Sequence, residues 1–140
     1  MTDQLTLKVA NDLGQIRLVR DRVQAFGEQS GLPSDVLFAV KLSIEELLTN
    51  TISYGYSDQE THIIEVQIDL WFDQLNVRML DDAVAFDPRD EKEPNTKAAL
   101  KDRKVGGLGI HLVKNLMDRI EYRREEGRNF LSLTKNLEKE

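Results

Sequence analysis

A chain of 140 residues, 40% hydrophobic and 31% charged, has the size of one domain and enough apolar material for a core, which excludes a disordered segment. It has no cysteine and only two histidines, which excludes disulfide scaffolds, thiolate metal centres, cysteine nucleophiles and multi-histidine metal sites. A net charge of −6 without a basic tract argues against nucleic-acid binding, and no apolar run reaches the ~18 residues of a membrane span. The opening MTDQLTLKVA lacks a basic region ahead of an apolar core, so no signal peptide is expected and the expected location is cytoplasmic.

Residues 4–9 alternate polar and apolar, as a strand with one buried face does. Leu13, Ile16, Val19, Val23 and Phe26 follow at steps of three and four, the stripe of an amphipathic helix over 13–27. Gly31-Leu32-Pro33-Ser34 breaks the chain, and Ser34 is the expected N-cap of a second helix running from Asp35 to Tyr54. Residues 63–72 alternate again, with Ile64, Val66, Ile68, Leu70 and Phe72 on one face and Trp71 on the other. A turn at Asp73-Gln74 and a strand carrying Leu75, Val77 and Met79 complete a β-hairpin.

The pattern is lost from Asp87 to Val105, a loop length that is uncommon in a compact domain and usually functional. Ile110, Val113, Leu116, Met117 and Ile120 mark a third helix. Residues 121–124 and 129–135 read as a closing hairpin around Glu125-Glu126-Gly127-Arg128, with Arg123 and Arg124 on its solvated surface. The order β-α-α-β-β-loop-α-β-β predicts an α+β two-layer sandwich, with a mainly antiparallel mixed sheet and helices on one face. A single domain over 1–140 is expected.

Three segments carry chemistry. Glu46 and Asn50 are four residues apart and share one helix face. A carboxamide oxygen there can ligate Mg²⁺, and a carboxylate can accept a proton from a hydroxyl. Asp81-Asp82-Ala83-Val84-Ala85-Phe86-Asp87-Pro88 closes the second hairpin strand at the mouth of the long loop. Three of the 8 glycines fall within Gly106-Gly107-Leu108-Gly109, which opens a helix. Glycine admits close backbone approach, and free N–H groups at a helix start favour phosphate.

Together these segments resemble the GHKL (Bergerat-fold) ATP-binding superfamily, and within it the anti-sigma-factor serine/threonine kinase branch of RsbW and SpoIIAB. Glu46–Asn50 resembles that family's N box, Asp81–Pro88 its first glycine box, and Gly106–Val113 its second. The resemblance implies ATP and Mg²⁺ as cofactors. It implies Asn50 as metal ligand, Glu46 as general base, and Asp81 as acceptor for the adenine amino group. Ala83 and Phe86 would line the nucleotide site beside Asp81, and Gly106, Gly107, Leu108, Gly109 and Ile110 would meet the phosphates. Residues 88–105 would form an ATP lid, and Arg20 would match a partner-contacting arginine. The implied function is phosphorylation of a small STAS-type anti-sigma-factor antagonist, with a sigma factor as a further partner and a possible homodimer. The alternative is a non-catalytic regulator that sequesters a sigma factor or other protein, with ATP structural or absent. The pattern departs at Ala83, where the family has glycine. A methyl there disfavours positive φ and would crowd the adenine pocket unless the local backbone is extended.

Overall fold

A computed structural model describes residues 3–90 and 107–137. Strand β1 spans Asp3–Ala10, helix α1 Gln15–Gln29 and helix α2 Ser34–Tyr54. Strands β2 (Ile63–Leu70) and β3 (Gln74–Asp81) follow, then a short 3₁₀ turn at Pro88–Asp90. Helix α3 covers Gly107–Leu116, and β4 (Arg119–Glu125) and β5 (Arg128–Asn136) close the described chain.

The five strands lie in the order β1-β2-β3-β5-β4, and all four pairings are antiparallel. The connections explain this. Two helices separate β1 from β2, so the chain comes back reversed. One helix separates β3 from β4, so those strands run the same way, but β5 is inserted between them. The connectivity is thus mixed while every ladder is antiparallel.

One sheet face is apolar and one polar, as period-2 alternation requires. Leu7, Val9, Ile64, Val66, Ile68, Leu75, Val77, Met79 and Leu133 are buried on the inner face. They form one core with Val19, Val23, Val40, Ile44, Leu48, Ile110 and Val113 of the helices. Helices α1 and α2 run antiparallel. Lys41 Nζ donates to Gln24 Oε1 at 2.7 Å, and Arg20 pairs with Glu45. The Arg20 side chain, read from the sequence as facing a partner, is therefore engaged across the helix pair.

Several local expectations shift by a residue or more. Trp71 N donates to Gln74 O at 2.8 Å, which places the hairpin tip at Phe72-Asp73 instead of Asp73-Gln74. That step takes Phe72 off the inner face and leaves it 84% exposed. Pro33, not Ser34, occupies the cap position of α2, and no side chain caps it. The Asp35 carboxylate accepts from Val36 N instead. Helix α3 stops at Leu116, so Ile120 belongs to β4. The last hairpin turns at Glu126-Gly127, with φ of +51° and +75°, the left-handed pair that a two-residue tip needs.

Candidate nucleotide-binding site

The site lies where the C-terminal half of α2, the end of β3, the start of α3 and the β4–β5 hairpin meet. Glu46 and Asn50 sit half-buried one turn apart on α2, while the flanking Leu47 and Leu48 enter the core. Gly109, in the first turn of α3, is buried directly against the Glu46 side chain. A Cβ at that position would collide with the Glu46 carboxylate, its Cδ lying 2.7 Å away. Glycine allows this close approach, and a side chain there would move the Glu46 carboxylate away. The partial positive charge of the α3 N-terminus suits the Glu46 carboxylate beside it.

Asp81 ends β3 and is 5% exposed. Its Oδ1 accepts from Ala83 N at 3.0 Å and from Asn129 Nδ2 at 2.7 Å. Burial pushes its pKa up, the two hydrogen bonds and Arg124 pull it down, and Asp82 adds to the rise. A cavity of about 90 Å³ opens beside it, room for part of a ligand and not just one water. Leu47, Asn50, Gly55, Asp81, Ala83, Phe86 and Asn129 are among its lining residues. Hence Asn50 and the distant segment carrying Asp81, Ala83 and Phe86 share one cavity, and Glu46 with Gly109 forms a neighbouring contact.

Ala83 is accommodated by its surroundings. It is 4% exposed and its backbone is outside the left-handed region, since among the described residues only Gln59 and Glu126 reach positive φ without being glycine. Its methyl faces Gly55, the C-cap of α2. A Cβ at Gly55 would lie 2.7 Å from Ala83 Cβ and 2.5 Å from Thr51 O. Gly55 has φ −86°, open to any residue, so space dictates the glycine there. Val84 N donates to Gly55 O at 3.0 Å and seals this contact.

Next to the cavity, His62 is held by two acids. Its Nδ1 lies 2.9 Å from Asp82 Oδ2 and its Nε2 2.8 Å from Asp58 Oδ2, while Tyr56 stacks on its ring at 4.4 Å. Asp82 and then Asp58 raise the His62 pKa. Burial, and then the charge of Asp81 and Asp82, push the Tyr56 phenol up.

Sequence reasoning missed Asn129, whose type and place mark only a strand. Arg124 is exposed on the hairpin, as read from the sequence, but its Nη1 also donates to Ala83 O at 2.7 Å and to Asn129 Oδ1 at 3.0 Å, which the sequence did not show. Arg123 stacks over Phe130 at 4.5 Å. His111 is half-buried on α3. Gly106 and residues 91–105 of the expected lid lie outside the described residues, as do the side chains of Gly107 and Leu108. Ile110 is buried in the core, 1% exposed, so only its backbone faces the start of α3.

Comparison with known proteins gives the family and the fold. The chain is 24% identical to the serine-protein kinase RsbW of Listeria innocua over 131 residues, 91% of this chain and 83% of the relative. It is 27% identical to the serine/threonine-protein kinase BtrW of Bordetella bronchiseptica over 97 residues, 69% of this chain and 68% of the relative. Its fold matches the crystal structure of the RsbU and RsbW domains of Rv1364c from Mycobacterium tuberculosis with a TM-score of 0.69 at 13% identity, over 95% of this chain and 31% of that one. The family model described as a histidine kinase-like ATPase domain matches residues 9–135, and the chain belongs to that family.

Proposed function

We propose that this chain is a Mg-ATP-dependent protein serine/threonine kinase and anti-sigma regulatory factor, whose phosphoacceptor is a small STAS-type anti-sigma-factor antagonist. Two of its relatives carry protein-kinase names. The observation that carries the reading is the meeting of Glu46 with the glycine-led start of α3, one helical turn from Asn50, which lines the same cavity as buried Asp81.

Each residue has a task in this scheme. Asp81, with Oδ1 already holding two donors, offers its remaining oxygen to an exocyclic amino group. Phe86 and Leu47 supply apolar lining for a flat base. The first N–H groups of α3, at Gly107 to Ile110, face phosphate with the favourable end of the helix dipole. The Asn50 carboxamide oxygen is the donor that fits a hard cation. Mg²⁺, when bound, would neutralise phosphate charge. Glu46 takes the proton from the attacking serine hydroxyl. Positioning and charge neutralisation dominate phosphoryl transfer, so these placements account for most of the expected rate. Among the described residues no helix is long and apolar enough to cross a membrane, and a cytoplasmic setting suits an ATP-dependent kinase.

The test combines thermal shift and transfer. Mg-ATP should raise the melting temperature, because a ligand of the native state stabilises by mass action. Labelled ATP should then leave phosphoserine on a STAS-type antagonist. Asn50→Ala should abolish the Mg-ATP shift. No shift at millimolar ATP would sink the nucleotide reading, and a shift without transfer to any candidate would favour the sequestering regulator.

A further inference from the structure

The hairpin side of the cavity holds a hydrogen-bond set that the scheme above leaves unused. Asn129 is 6% exposed. Its Oδ1 accepts from Tyr122 Oη at 2.5 Å and from Arg124 Nη1 at 3.0 Å. Its Nδ2 donates to Asp81 Oδ1 at 2.7 Å and to Val84 O at 3.0 Å, with a longer contact of 3.4 Å to Ala83 O. Amide oxygen and nitrogen are told apart by their partners. Here a permanent cation and a phenol meet one end, and a carboxylate and a carbonyl meet the other, so a single orientation satisfies the site. Arg124 reaches further and also donates to Ala83 O at 2.7 Å. The β4–β5 hairpin thereby grips the Asp81–Val84 turn at three of its four residues.

We propose that Asn129, locked in orientation by Tyr122 and Arg124, is a positioning residue for base recognition: together with Ala83 N it occupies Asp81 Oδ1, and so turns the other Asp81 oxygen to the ligand. The inference rests on the reading of this cavity as the base site. An alanine or a hydrophobic residue at 129 would leave Asp81 Oδ1 with the Ala83 N–H as its one described donor, so the carboxylate would be held less firmly and would lose part of its solvation. The charged and titratable groups acting on Asp81 are Asp82 beside it, Arg124 from β4 and Tyr56 from the segment after α2. Tyr122 reaches it through Asn129. Arg124 is the cation of this set, so it supports both the amide orientation and the negative carboxylate.

The experiment measures ADP affinity by calorimetry for the full chain and its variants between pH 5.5 and 8.5, each value taken as a ratio to wild type at the same pH. Asn129→Asp sets a second carboxylate against Asp81, and two carboxylates so placed share a proton when acid supplies it. At pH 8.5 its affinity should fall at least about tenfold, the equivalent of one lost hydrogen bond to a charged group. The loss should shrink as the pH falls toward 5.5, where a shared proton restores a donor to Asp81. A purely structural role would lower the melting temperature in step with the affinity at each pH, so thermal melts of the same samples separate it from a loss of positioning. Tyr122→Phe and Arg124→Met, at less buried positions, should each weaken ADP about threefold to tenfold. Wild-type affinity in both of these, or a pH-independent ratio for Asn129→Asp, would overturn the inference. Should Asn129→Asp fail to fold, the Tyr122 and Arg124 variants decide alone. If wild type itself binds no ADP, the base-site reading fails first and takes the inference with it.

Discussion

The two ends of the site are built on opposite plans. At the base end, Asp81, Ala83 and Asn129 are 5%, 4% and 6% exposed, and Asp81 Oδ1, the Ala83 N and O and the Asn129 amide are spent on one another and on Arg124, Tyr122 and Val84. At the transfer end, Glu46 and Asn50 remain half-buried on one face of α2, with the backbone of α3 close by. The contrast separates two demands. Recognition of a flat base gains from a dry, preorganised frame in which each donor and acceptor has one arrangement. Phosphoryl transfer needs open side chains that can meet phosphate, metal and the hydroxyl of a second protein.

Breaking the transfer end should give the largest change in rate with the least change in fold. Glu46→Gln should lower phosphoryl transfer by about 10²–10⁴-fold while ADP affinity stays near wild type. Single-turnover kinetics beside calorimetry checks this, and retained transfer would remove Glu46 from the base role. Breaking the base end should damage stability together with binding. Gly55→Ala forces a methyl against Thr51 O and Ala83 Cβ, and overpacking of this kind costs about 1–3 kcal/mol. A lower melting temperature and weaker ADP binding are expected, both relieved only in part by adding Ala83→Gly, because the Thr51 carbonyl still obstructs. Unchanged melting in Gly55→Ala would show that the end of α2 yields freely.

The smallest effect is expected at the rim, where His62 bridges Asp58 and Asp82. Its folded pKa is raised above the ordinary 6.5 by Asp82 first and Asp58 second. The stability it contributes is therefore fully present below pH 6.5 and is lost as the pH climbs through the raised folded value. His62→Gln should melt below wild type at pH 6, and the two should converge at pH 9. A gap that stays constant with pH would show that packing on Tyr56, not charge, is what His62 provides.

Much of this was legible in the residues. Helical and strand periodicities placed α1, α2 and the two hairpins within a few residues, because burial of one face imposes those spacings on the sequence. Glu46 and Asn50 were legible as a pair because the helix fixes their relation locally. The misreadings have one physical root. A hairpin tip shifted by a single residue reversed Phe72, and no local signal such as Asn-Gly marked that tip. The bond from exposed Arg124 to the Ala83 carbonyl was invisible because the two are 41 residues apart along the chain. Asn129 carried no signal of its own, since an asparagine in a strand acquires meaning only from what faces it.

The small acidic chain without cysteine determined by itself that a single hydrophobic core would hold an α+β sandwich, and the order of its motifs determined the family. Tertiary structure alone decided whether Ala83 could stand where the resemblance leads one to expect glycine. The backbone there needs no positive φ, and the missing side chain is at Gly55, which yields its space to the Ala83 methyl. It alone also decided which residues hold Asp81, because β5 reaches β3 only by closing the sheet, and the hydrogen bonds to Asn129 exist only once it has done so.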